Sequence, residues 1–133
     1  MIEDLKHNEL TESIIEAFYD VYNCLGYGYL ENVYQNALYF ELKDMGYKVE
    51  AQKVIEVFYR ERVVGKYFAD LIVEDCVILE LKAASMLAVE HECQLINYLK
   101  STDIEVGLLL NFGKKPQFKR KVFENENKQN IEK

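Results

Sequence analysis

Tyr67-Phe68-Ala69-Asp70-Leu71-Ile72-Val73, then Glu74-Asp75-Cys76, then Val77-Ile78-Leu79-Glu80-Leu81-Lys82, is the stretch that decides the fold. Two apolar runs flank a short polar loop, which predicts a hairpin of two strands inside a sheet. Side chains alternate between the faces of a strand, so Glu80 and Lys82 share the face of Ile78. With 74–76 as the loop, Val73 pairs with Val77, Ile72 with Ile78 and Asp70 with Glu80. The two carboxylates then stand opposite each other, with Cβ atoms about 4.5–5.5 Å apart. Like charges so placed are destabilising. A sheet keeps them where something positive, such as a divalent cation, lies between them. The plainer alternative is a solvated strand face whose charges pair as an ordinary salt bridge.

Outward from the hairpin, the chain alternates between helical and strand periodicity. Ile14, Ile15, Phe18, Val21, Tyr22 and Leu25 recur at three- and four-residue spacing, one face of a helix. Thr11 or Asn8 is a candidate N-cap and Gly26 the stop. A second helix is expected from about Leu30 to Met45. Lys53 to Tyr59 alternates as a strand, Arg60-Glu61-Arg62 turns, and Val63 to Val73 returns. Leu87 to Lys100 reads as a helix, and Val106 to Leu110 as a strand buried on both faces. The expected fold class is α/β (α+β). It is a central mixed four-stranded sheet, a three-strand antiparallel meander plus one strand joined in parallel after a crossover helix, flanked by helices. One domain fills 133 residues, with its core at about 10–123 and a polar, disordered tail at 124–133.

Composition narrows the function classes. The net charge of −7 argues against a protein that grips nucleic acid by charge alone, while leaving room for an enzyme with a bound cation. Cys24, Cys76 and Cys93 match no zinc spacing and no disulfide framework, so they read as reduced core thiols of a cytoplasmic protein. No stretch resembles a signal peptide or reaches the roughly 18 apolar residues of a membrane helix, so no membrane partner is expected.

Asp70, Glu80 and Lys82 are the leading chemical group. Carboxylate oxygens suit Mg²⁺, which takes one or two of them and keeps several waters. Such an ion polarises a phosphate oxygen and lowers the pKa of a bound water. Lys82 can position or deprotonate that water, or steady developing negative charge. Glu31 falls in the first turn of the second helix, where the helix dipole favours a carboxylate, and shares a face with Tyr34 and Leu38. It is either a third acidic group or an exposed residue that suits the dipole. Leu87, His91, Gln94 and Tyr98 form a polar stripe on the helix after the Glu80 strand. Gln94 can bind a phosphate or a metal-bound water, and Tyr98 can hydrogen-bond or stack; a packed ring and a solvated His91 are the alternatives. Lys114, Lys115, Lys119, Arg120 and Lys121, interleaved with Phe118 and Phe123, form either a phosphate rim or a solvated tail.

Gly28-Tyr29-Leu30-Glu31-Asn32-Val33-Tyr34 fits a G-x-x-E-x-x-Y pattern. With Ala69-Asp70, Glu80-Leu81-Lys82, His91-Glu92-Cys93-Gln94-Leu95-Ile96-Asn97-Tyr98-Leu99 and Asn111-Phe112-Gly113, the chain resembles the GxxExxY family of the PD-(D/E)XK nuclease-like superfamily over about residues 10 to 123. The resemblance implies a restriction-endonuclease-like core and a Mg²⁺-type site, with Mn²⁺ as a substitute. Asp70 and Glu80 would be ligands, the backbone carbonyl of Leu81 a further ligand, and Lys82 the catalytic lysine. Glu31 would contribute directly or through water, and Gln94 would be the polar residue of the following helix. From the residues themselves, substrate contacts are expected at Gln94, Tyr98, His91, Lys119 and Arg120. Two positions depart from the pattern: Ala69 replaces the proline of the superfamily's name, and Tyr22 stands where His is expected in many relatives.

The expected function is a metal-dependent nuclease that hydrolyses phosphodiester bonds of DNA or RNA. The alternatives are a catalytically silent nucleic-acid or protein interaction module on the same fold, and a structural dimer. Partners in that reading are nucleic acid, a second copy of the chain as a homodimer, and a targeting protein.

Overall fold

The computed structural model describes residues 6–128. Helix α1 (Asn8–Leu25) buries Ile14, Phe18 and Val21 of the expected stripe and Ala17 besides, while Ile15, Tyr22 and Leu25 are half-buried against the same core. It stops at Gly26, whose φ of 73° is left-handed. Its N-terminus differs from expectation. His7 stands at the cap, and Thr11 is buried one turn in, its hydroxyl donating to the Asn8 carbonyl. Helix α2 (Glu31–Asp44) follows a short break and buries Tyr34, Leu38 and Leu42.

Strands β1 (Val49–Tyr59), β2 (Arg62–Val73) and β3 (Val77–Lys82) form the expected antiparallel meander. The first turn is tighter than expected, two residues rather than three. Arg60 and Glu61 take φ of 49° and 72°, the geometry that matches strand twist in two-residue hairpins. Glu74 and Asp75 do the same before Cys76, whose N–H closes the turn on the Val73 carbonyl. Helix α3 (Val89–Lys100) then carries the chain across to β4 (Val106–Asn111), which lies parallel to β3 as the crossover requires.

The sheet has five strands in the order β1-β2-β3-β4-β5, one more than the four expected. The fifth, β5 (Gln117–Val122), lies antiparallel to β4 inside the basic segment. Its Gln-Phe-Lys-Arg-Lys-Val sequence has too few apolar residues to read as a strand. It is an edge strand, where lysines discourage pairing with a further chain.

Two cores sandwich the sheet. Helices α1 and α2 cover one face with Leu71, Val73, Leu79, Leu81, Leu108 and Leu110. Helix α3 covers the other with Ile72, Ile78, Leu95, Leu99 and Leu109, packing mainly on β4 and β5. Close approach of α3 depends on Gly107, where an added Cβ would meet Leu95 at 2.7 Å. Helix α3 packs on β3, β4 and β5, and side chains of the β1–β2 arm such as Val64 and Tyr67 stay exposed.

The polar tail is only partly as expected. Residues 125–127 form a 3₁₀ turn, and buried Lys128 donates to the carbonyls of Thr102 (2.9 Å) and Ile104 (2.7 Å). Carbonyls left over just past α3 attract the ammonium. Residues 129–133 lie outside the described residues. The cysteines are free thiols but not core ones, since Cys24 and Cys93 are exposed and Cys76 is half-buried. Among the described residues no helix is long and apolar enough to cross a membrane.

Candidate active site

The β2–β3 ladder runs from Val73↔Val77 through Ile72↔Ile78 to Leu71↔Leu79 and ends there. At the next row the two carboxylates replace the backbone bonds. The Asp70 N–H donates to Glu80 Oε2 at 3.0 Å, and the Leu81 N–H donates to Asp70 Oδ2 at 2.8 Å. The two carboxylates are therefore neighbours, though not the ladder pair expected: each side chain caps the other strand. Glu80 is only 5% exposed. Burial first, and the Asp70 charge second, push its carboxyl up to about 8, against the opposing pull of the Asp70 N–H and Lys82. Asp70 is also raised, chiefly by burial.

Strand alternation changes phase at this row. Ala69 and Ile72 face the α3 side, while Leu71 and Val73 face α1 and α2. Across from Asp70, Gln52 drops out of the pairing between Ala51↔Leu71 and Lys53↔Ala69. Gln52 has φ of 54°, a left-handed conformation in mid-strand that a non-glycine residue adopts at a cost. Its amide donates to Gln35 Oε1 of α2 at 2.9 Å and, more weakly, to Asp70 Oδ1 at 3.4 Å. The sequence pattern starts β1 at Lys53, one residue too late to include this position. No composition or spacing signal marks it.

Glu31 opens α2 and accepts from the Ala83 N–H at 3.3 Å, just past the end of β3. The G-x-x-E-x-x-Y pattern acquires a physical account here. Gly28 has φ of 115°, open only to glycine in practice. The Tyr34 hydroxyl donates to the Gly26 carbonyl at 2.5 Å and accepts from the Tyr29 N–H at 3.2 Å, while its ring stacks on Phe112 at 4.4 Å. Glycine lets the loop turn and tyrosine pins it. Together they hold Glu31 at the sheet's edge. The Tyr22 hydroxyl donates to the Lys114 carbonyl, a structural bond.

Lys82 is half-buried and belongs to none of the ion pairs among the described residues. Its charge lowers both Asp70 and Glu80. From α3, Gln94 Nε2 donates to the Tyr98 hydroxyl at 2.9 Å. That hydroxyl is pushed up to about 12 by burial, then by the Glu80 and Asp70 charges, so it keeps its proton. The same charges place Tyr98 within the field of the carboxylate pair. His91 accepts from the Ala88 N–H through Nδ1 at 3.1 Å, capping α3, and its ring lines the cleft between α3 and the β1–β2 arm. That cleft has a volume of about 870 Å³.

The basic residues do not act as one rim. Glu80, Leu109 and Lys119 occupy one row of the sheet. At about 4.8 Å per strand, Lys119 is roughly 10 Å from Glu80. Buried Leu109, covered by α3, lies between them. Arg120, one residue on, faces α1 instead and donates to the Lys6 carbonyl. Lys121 is paired with Glu92 at 2.6 Å.

Among the described residues no three His, Cys, Asp or Glu side chains gather into a metal cluster. The acidic centre is the Asp70–Glu80 pair, with Glu31 bound to the Ala83 N–H and its charge felt by both carboxyls. That set fits a hard divalent ion, which needs one or two carboxylates and keeps its own waters. Two carboxylates buried too closely for both to ionise comfortably are relieved by such a charge.

A family profile described as the PD-(D/E)XK nuclease superfamily matches residues 8–121. The chain belongs to that superfamily. A crystal structure of SSO0001 has a similar fold, with a TM-score of 0.59 at 18% identity over 71% of this chain and 50% of that one. This chain thus spans about half the length of that protein. At such identity the likeness concerns the fold alone. No curated protein gives a match.

Proposed function

We propose that this protein is a metal-dependent nuclease of the GxxExxY type, hydrolysing phosphodiester bonds of DNA or RNA at Asp70, Glu80 and Lys82. The observation that carries the reading is the Asp70–Glu80 pair, two carboxylates interlocked at the row where β2 leaves β3. Superfamily membership supports it. Asp70 and Glu80, with the Leu81 carbonyl beside them, would hold Mg²⁺ or Mn²⁺, which supplies Lewis acidity toward a phosphate oxygen. Lys82, in none of the ion pairs among the described residues, would steady charge on the phosphate or orient the attacking water as the ammonium, and could take that water's proton only as the neutral amine. Glu31 orders polar groups at the end of β3. Gln94, tied to Tyr98, offers an amide to substrate. Cutting both strands of a duplex would take two copies of the site, hence a pair of chains.

The test is cleavage of single- and double-stranded DNA and RNA with Mg²⁺ or Mn²⁺. Expected is turnover lost in Asp70→Asn and in Lys82→Ala, each still folded. Absence of cleavage on every substrate, with binding retained, would instead favour the silent interaction module.

A further inference from the structure

The cleft between α3 and the β1–β2 arm is placed and lined for a different task from phosphate binding. Its wall carries the rings of Tyr67 and Tyr98, with centroids 5.5 Å apart. Tyr67 is 48% exposed, leaving one side of its ring open. Gln94 and Asn97 bring amide groups to the lining, and Val64 adds an apolar side chain. None of the lining residues is lysine or arginine, and Glu90 adds a negative charge. A phosphate backbone would find no cation there. A neutral, flat, aromatic group with hydrogen-bonding edges would find the exposed Tyr67 ring, backed by the buried Tyr98 ring, to stack on and amides to read it. The cleft also adjoins the carboxylates. Tyr67 lies three residues along β2 from Asp70, about 10 Å at 3.3 Å per residue.

We infer that this cleft binds an unpaired nucleobase, a nucleotide or two from the phosphate to be cleaved beside Asp70 and Glu80, so that the substrate is single-stranded or locally unpaired nucleic acid. The inference rests on the nuclease reading and narrows its substrate class. Stacking needs a base free of its partner, because a paired base shows no open face to a side wall. Stacking is tolerant of sequence, since every base has a π-face.

Fluorescence anisotropy in EDTA, with the full chain, tests it. The probes are a short labelled single strand, the same sequence as a duplex, and a single strand carrying abasic sites. Expected is tighter binding of the intact single strand than of either other probe. Tyr67→Ala should weaken single-strand binding by about 5- to 100-fold, with Tyr67→Phe close to wild type. Val64→Asp, at a position 64% exposed and so tolerant of change, should weaken it as well. Single-strand binding indifferent to both Tyr67→Ala and Val64→Asp, or a preference for duplex, overturns the inference. So does a fall in sedimentation mass in Tyr67→Ala, which would make the cleft a contact between copies. Cleavage measured in parallel separates the two ideas. Turnover that ignores Tyr67 leaves the nuclease reading standing without this cleft, whereas absent turnover and absent binding remove both.

Discussion

Replacing Glu80 by Gln should stabilise the metal-free protein, and by an amount that depends on pH in a defined way. Glu80 is buried beside Asp70, and its carboxyl lies at about 8 rather than the ordinary 4.5. The folded chain therefore holds a proton that the unfolded chain releases between those values. Stability falls as pH climbs from about 4.5 to about 8, and levels off above. Each pH step in that window is worth about 1.4 kcal/mol, so the penalty reaches about 3 kcal/mol at pH 7. Glutamine has the same shape, stays neutral and still accepts the Asp70 N–H. Glu80→Gln should thus gain about 2–3 kcal/mol at pH 7, roughly 8 °C in Tm, and close to nothing at pH 4.5. Chemical denaturation in EDTA across that range, on both proteins, measures the difference. A gap between variant and wild type that is flat with pH, or that favours the wild type at pH 7, would refute the account of the buried pair. Saturating Mn²⁺ should raise the wild type's stability by about 3 kcal/mol at a hundred times its Kd and leave Glu80→Gln much less affected.

Tyr34→Phe removes the hydroxyl that ties the Gly26 carbonyl to the Tyr29 N–H, and should cost about 1–2 kcal/mol in urea melts while leaving the Phe112 stack intact. A loss below a few tenths would mean that the loop before α2 holds itself. Gln52→Gly relieves the left-handed φ of 54° and removes the amide beside Asp70. Stability should move by no more than about 1 kcal/mol, whereas Mn²⁺ affinity by calorimetry should drop about 10-fold or more. Equal affinity in the two proteins would show Gln52 to be structural only. Lys128→Ala strands the carbonyls of Thr102 and Ile104 and should cost about 1–3 kcal/mol, read by denaturant midpoint. An unchanged midpoint would mean water replaces the ammonium without loss.

Much of this arrangement is legible in the sequence because it rests on short-range periodicity. The hairpin register from Val73↔Val77 to Leu71↔Leu79 follows from loop length and the apolar alternation. The parallel placement of β4 follows from its crossover helix. That register also brings Asp70 and Glu80 near each other, though their interlock lies one row past the end of the ladder. What is not legible depends on tertiary context. Strand β5 has the composition of a solvated tail, and only its place at the sheet edge explains its lysines. Lys119 and Arg120 are neighbours in sequence, yet strand alternation sends them to opposite faces. Gln52 acts through an unusual backbone angle, and Lys128 through carbonyls just past the end of a distant helix. Neither leaves a pattern of residue types.

The interlock at the end of the β2–β3 ladder has a consequence for how this site can be watched. The amides of Asp70 and Leu81 are held by the two acidic side chains rather than by the opposite backbone. Any ligand that draws those oxygens away leaves both amides without their acceptors. Their hydrogen-exchange rates then rise while those of Leu71 and Leu79, one row deeper, stay slow. Two neighbouring rows of one sheet thus carry a built-in reporter and its internal control, readable by deuterium exchange without substrate or turnover.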